Sequence, residues 1–136
     1  MNLEPLLRAH EFMRVERPLN FWQADAEDVR LVPLIGEMIA VGLSRGNALG
    51  ELTLNAANVV VEADDGLVAV GEYVALSVLG KGDWRPEWTW RAGATLPASA
   101  YSDLGRALAN SGAVFAYARH IGDGGSVTIF LRRAPT

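Results

Sequence analysis

Leu67 to Trp90, LVAVGEYVALSVLGKGDWRPEWTW, decides how the rest of the chain is read. Its even positions Val68, Val70, Val74, Leu76 and Val78 are all branched or aliphatic, whereas the odd ones mix Ala69, Tyr73, Ala75, Ser77 and Leu79. A period of two with one uniformly apolar face is the pattern of a strand with one side buried, so the even face is expected to meet the core. Gly71-Glu72 interrupts that pattern, and a bulge or local bend is expected there. Gly80-Lys81-Gly82-Asp83 then has turn chemistry. It leads into Trp84-Arg85-Pro86-Glu87-Trp88-Thr89-Trp90-Arg91, which holds three of the four tryptophans. Pro86 cannot donate to a ladder, so this segment is expected to be loop or edge first and strand only from Glu87 onward.

Upstream, Leu52, Leu54 and Ala56 share one parity and Val59 and Val61 the other. A second strand over Glu51 to Glu62 with a bulge around Ala57-Asn58 accounts for that slip. Asp64-Asp65-Gly66 would close a hairpin between the two strands, Gly66 taking a left-handed position. Gly36 to Leu43, GEMIAVGL, is apolar or small on both alternating faces, as in a central strand covered on both sides. Before it, Asn2 can cap a helix bearing Leu3, Leu6, Leu7 and Met13 that stops before Pro18. Phe21 and Trp22 would pin that helix to the body of the domain. Asp25 reads as the cap of a second, short helix ended by Pro33.

Downstream, Ser99 or Ser102 can cap an amphipathic helix carrying Tyr101, Leu104 and Leu108, with Gly112 as its stop. Ala113 to Ile121 and Ser126 to Arg133 flank Gly122-Asp123-Gly124-Gly125, a strong hairpin signal. With Asp123 and Gly124 as the loop, Ile121 faces Ser126 and Tyr117 faces Phe130. Val114, Ala116, Ala118, His120, Val127, Ile129 and Leu131 then form the core face. Phe115, Tyr117, Arg119, Thr128, Phe130 and Arg132 form an amphipathic second face that carries the later helix or meets a partner.

These elements predict an α+β fold: an antiparallel sheet of about five to six strands, with N-terminal helices and one later helix packed on one face. The 136 residues fit a single domain. The order of helices and strands, the small size and the acidic balance are loosely similar to secretion-chaperone-like dimers, which hold an extended client. The chain departs from them in having no helix after its last strand.

Composition narrows function. The absence of cysteine removes disulfides, thiolate nucleophiles and cysteine-ligated zinc. A net charge of −4 argues against nucleic acid as a partner, because that affinity rests on accumulated Lys and Arg. The N-terminus lacks a signal-peptide pattern and no apolar run spans a bilayer, so a cytoplasmic protein without a membrane partner is expected. No metal, nucleotide or acyl-transfer motif is present, and no cofactor is implied. Gly42, Gly46 and Gly50 lack the Lys-Ser/Thr ending of a phosphate loop.

The candidate ligand- or partner-binding residues are Trp84, Arg85, Glu87, Trp88, Trp90, Arg91 and His120. Tryptophan and arginine are enriched at binding hot spots, and Trp88 and Trp90 share a strand face on which something could stack. The alternative is that the rings fill the end of the core and anchor the loop. His120 would act as a general base only with a carboxylate in reach, Asp83 or Asp123; otherwise it is a hydrogen-bonded residue at the sheet rim. Two functions are open. One is a non-catalytic, homodimeric domain that binds a small molecule or a protein client through residues 84–91 and the Phe115/Tyr117/Phe130 face. The other is a cofactor-independent enzyme with a Trp-roofed pocket and His120, Glu87 or Asp83 moving a proton.

Overall fold

The computed structural model describes residues 1–8, 10, 13–63, 66, 68–94 and 102–135. In chain order the elements are α1 (Glu4–Arg8), β1 (Arg14–Glu16), α2 (Asp28–Ser44), β2 (Thr53–Val61), β3 (Gly71–Lys81), β4 (Trp88–Arg91), α3 (Ser102–Ser111), β5 (Phe115–Ile121) and β6 (Gly124–Arg132), with a 3₁₀ turn at Leu49–Glu51. The fold is α+β. Six strands form one mixed, mainly antiparallel sheet in the order β1-β2-β3-β6-β5-β4.

β3 is the centre of that sheet, paired with β2 on one side and β6 on the other. Val74, Leu76 and Val78 are buried on one face as their parity predicts, whereas Val68, ahead of the strand, is buried on the opposite side with Tyr73 and Phe115. Val70, however, lies before the strand and is exposed. The odd face is covered too at Tyr73, Ala75 and Ser77. Glu72 escapes burial by turning outward to pair with Arg133 at 3.0 Å.

Three expectations are corrected. Residues 36–43 are not a strand: α2 runs for 17 residues straight through Pro33. Leu31, Leu34, Ile35, Met38, Val41 and Gly42 are its buried residues, at helical and not alternating spacing. A continuous apolar run satisfies both periods, and packing against the sheet selects the longer one. Glu27, not Asp25, is the residue before the first turn, and Pro33 does not end the helix. At the N-terminus Asn2 does cap, its Oδ1 accepting the Glu4 amide at 3.0 Å. But α1 ends at Arg8, and Arg14–Glu16 pairs in parallel with β2, the one parallel pairing among the described strands. Finally, β2 has no bulge: its residues pair one-to-one with β3 from Thr53 opposite Leu79 to Val61 opposite Gly71. The change of parity reflects two apolar clusters, one on each side of the sheet. Leu54 and Ala56 join the main core, and Val59 and Val61 pack with Val68, Tyr73 and Phe115 on the other side.

The last hairpin keeps its predicted faces but not its predicted partners. Ile121 pairs with Gly124, so Gly122-Asp123 is the loop and Gly122 takes φ +62. Such a left-handed position is open to glycine without strain, which draws the turn back one residue. The register moves by two, preserving which side each residue faces. Phe115 now stands opposite Phe130, and Tyr117 opposite Thr128.

All three helices sit on the same side of the sheet. Leu6 and Leu7 of α1, the buried residues of α2, and Leu104 and Leu108 of α3 belong to one core with Leu54, Leu76, Ile129 and Leu131. α3 ends at Gly112, φ +83, as expected. Phe21 and Trp22 pack partly buried against that core. Asp64, Asp65, Leu67, Ser99 and Tyr101, for which the sequence predicts roles, lie outside the described residues. No helix among the described residues is long and apolar enough to cross a membrane.

Candidate functional site

The loop after β3, the start of β4 and the end of β5 converge and bring Trp84, Arg85, Glu87 and His120 together, with Trp88 and Trp90 buried on the core side and Arg91 on the other face. Trp84 is the keystone. Its indole lies over Gly125, where an added Cβ would come within 2.5 Å of the ring and 2.2 Å of the Arg119 carbonyl oxygen. Its Nε1 donates to the Gly80 and Lys81 carbonyls, both at 3.1 Å. Trp84, Trp88 and Trp90 are only 1, 7 and 3% exposed and belong to the main core. Within one chain their rings therefore fill the end of that core. Trp90 Nε1 donates to the Ala94 carbonyl at 2.9 Å, whereas Trp88 Nε1 is buried with no partner among the described residues.

The polar members hold the loop. Arg85 grips Asp83 through Nε and Nη2, each at 2.9 Å, and its backbone amide donates to the same carboxylate at 2.9 Å. Those bonds hold the Asp83 carboxyl well below the usual carboxylate range and raise the Arg85 guanidinium in turn. His120 Nδ1 accepts the Trp84 amide at 3.2 Å, and Asp83 Oδ1 stands 3.8 Å from the same nitrogen. Glu87 Oε2 accepts the His120 amide at 3.1 Å. A nitrogen that accepts a backbone N–H is not available to take a substrate proton without breaking that bond. The described residues contain no group of three or more His, Asp or Glu able to hold a metal.

Of the predicted site residues in this stretch, Arg85, Glu87 and Arg91 are exposed to solvent. Arg91 faces the other side of the sheet, opposite Phe115, and its Nη1 donates to the Gly66 carbonyl. No protein-family model matches this chain, and no curated protein matches it significantly.

The geometry directs attention to the sheet face that no described helix covers. Tyr73, Phe115, Tyr117 and Phe130 form a ring cluster there, with centroid separations of 5.7 Å for Tyr73–Phe130, 5.6 Å for Phe115–Phe130 and 6.4 Å for Tyr117–Phe130. Tyr117 and Phe130 are half-buried, Arg119 stacks over the Tyr117 ring at 4.6 Å, and Arg132 is exposed beside Tyr73. Ser77 and Thr128 share a buried hydroxyl–hydroxyl bond of 2.7 Å at its centre. The alternation of β5 and β6 signalled this face; the contribution of Tyr73 and Arg91 was hidden, because their strand neighbours follow from tertiary pairing alone.

The outer side of α2 is a second unmet surface. Val29 and Val32 are 70 and 52% exposed and Leu43 is 43% exposed, with exposed Gly36 and Ala40 between them. Positions 29, 32, 36, 40 and 43 follow helical spacing, so they form one apolar stripe opposite the buried one.

Proposed function

We propose that this chain is a single-domain, non-catalytic, homodimeric protein-binding module of the cytoplasm, whose contact surface for its client is the helix-free face of the sheet. The observation that carries the reading is the arrangement of that face: a ring cluster bordered by Arg91, Arg119 and Arg132, on a chain whose net charge is −4. Aromatic rings with arginines at their margin suit a partner segment that is apolar with acidic residues beside it. Arg85, Glu87 and His120 support the surface from below by fixing the loop that leads into β4, and the three indoles anchor that loop in the core.

Dimerisation is supported by α2. A helix apolar on both sides is ordinarily covered on both sides, and the small residues Gly36 and Ala40 would let the same stripe of a second copy approach closely. Pairing there leaves the opposite side of the sheet open to a client. The enzyme alternative loses support because the groups it needs are engaged with the backbone or with Arg85.

Two measurements test this. Light scattering should give a dimer for the parent and a monomer for Val32→Glu, an exposed position where folding is unaffected; a monomeric parent overturns the dimer. A photo-crosslinking residue placed at Tyr117 should capture a client in cells, and one at exposed Arg106 of α3 should not. Equal yields at the two positions would remove the sheet face from the reading.

A further inference from the structure

One end of the helix-free face is closed over in a way the rest is not. Tyr73, Phe115 and Val68 are 1, 6 and 9% exposed although no described helix lies above them. Gly66, Val68 and Ala69, ahead of β3, lie beside Tyr73 and Phe115. The Tyr73 hydroxyl donates to the Ala69 carbonyl at 2.6 Å, and Arg91 reaches from β4 to the Gly66 carbonyl, so the segment is tied at both sides. Between these ties lies a cavity of about 250 Å³, walled by Val68, Tyr73, Val114 and Phe115 and bordered by Arg91 and Arg132.

We infer that this cavity is a binding site for a carboxylate carried on an apolar, preferably aromatic, body. Apart from the two arginines the described side chains of its wall are apolar or, in the case of the Tyr73 hydroxyl, already engaged, which leaves the guanidinium groups as the polar side-chain recognition elements. No Asp or Glu is among the described residues that line it. Arg132 makes no ion pair with a carboxylate among the described residues, unlike its neighbour Arg133, which pairs with Glu72. Arg91 uses one nitrogen on Gly66 and keeps further N–H donors. A guanidinium fork matches a carboxylate in shape and charge, and the pair gains strength where one side is walled from water. The volume lies just below the usual range for small-molecule sites, which limits the occupant to about ten non-hydrogen atoms. A free aromatic acid and the C-terminal residue of a peptide present the same chemistry. The site needs no second copy of the chain, so it does not depend on dimerisation.

The test uses the full chain in ¹H–¹⁵N NMR titrations with 3-phenylpropanoate, with 3-phenylpropanamide, and with the tetrapeptide Gly-Gly-Gly-Phe in free-acid and amidated forms. Each acid should bind at least about tenfold more tightly than its amide, because the amide lacks the charge that the arginines meet. The shifts should centre on the amides of Val68 and Val114. Arg132→Gln should abolish the preference for the acid, and Arg119→Gln, on the same face but outside the cavity, should leave it intact. Tighter binding of the free acid identifies a small molecule as the natural source of the group; tighter binding of the peptide acid identifies a chain terminus. Equal affinity of acid and amide, shifts centred elsewhere, an unchanged preference in Arg132→Gln, or no saturation by about 10 mM would each overturn the inference. A monomeric parent that still prefers the acids would overturn the dimer and leave the cavity standing, whereas a dimeric parent without that preference would overturn the cavity alone.

Discussion

Replacing each buried tryptophan by phenylalanine separates what the three indoles do. All three changes remove part of a ring from the same core, at about 1 kcal/mol of lost packing each. They differ in the fate of one N–H. In Trp84→Phe the donor shared by the Gly80 and Lys81 carbonyls disappears, adding about 1–2 kcal/mol for a total of about 2–3 kcal/mol. In Trp90→Phe the single bond to the Ala94 carbonyl is lost, so the cost is about 2 kcal/mol. In Trp88→Phe the group removed is a buried donor without a partner among the described residues, and its removal relieves about 1–3 kcal/mol. That offsets the packing loss, so Trp88→Phe should be neutral or slightly stabilising. The gap between Trp84→Phe and Trp88→Phe is thus about 3 kcal/mol, or about 10 °C in thermal midpoint for a domain of this size. Urea unfolding followed by far-UV circular dichroism should show midpoints about 1.5 M apart. Equal losses for Trp88→Phe and Trp84→Phe would refute the reasoning, because packing volume alone would then explain both.

Two further outcomes follow from the same region. Gly125→Ala should cost more than about 3 kcal/mol, since a Cβ there meets a backbone oxygen at 2.2 Å that cannot rotate aside. Gly122→Ala, left-handed but in open space, should cost only about 1–2 kcal/mol, and chemical denaturation that reverses this order would show that Trp84 does not lie against β6 as described. The second concerns acid. Asp83 has a folded-state value depressed below its usual 3.8, so the stability it contributes is complete above that value and is lost as pH falls toward the depressed one. Thermal midpoints of the parent and Asp83→Asn should therefore differ by a constant amount from about pH 5 to 7 and converge below about pH 4. A difference that grows on acidification contradicts the Asp83–Arg85 assignment.

The alternation of Val74, Leu76 and Val78 was enough to find the central strand, because branched residues at every second position are separated there by smaller or polar ones, unlike the continuous apolar run at 36–43. The faces of β5 and β6 were legible for the same reason, even though the turn was misplaced by one residue at each end. The start of β4 beyond Pro86 and the stop of α3 at Gly112 followed from backbone chemistry alone. The gathering of residues 83–91 with His120 was only partly legible. A cluster of tryptophans and arginines says that large rings and charges are close in sequence, not which of them face inward.

Sequence by itself determined the α+β class, the central strand and the parity of the last hairpin, since each depends on local periodicity and turn chemistry. Tertiary structure decided the rest. Residues 36–43 are helix because Leu31, Leu34, Ile35 and Met38 bury together against the sheet only at helical spacing. Val59 and Val61 change sides without a bulge because a second apolar cluster waits on the far face. The tryptophans fill the core while Tyr73, Phe115, Tyr117 and Phe130 gather opposite, because strand order β3-β6-β5-β4 brings together side chains that stand far apart along the chain.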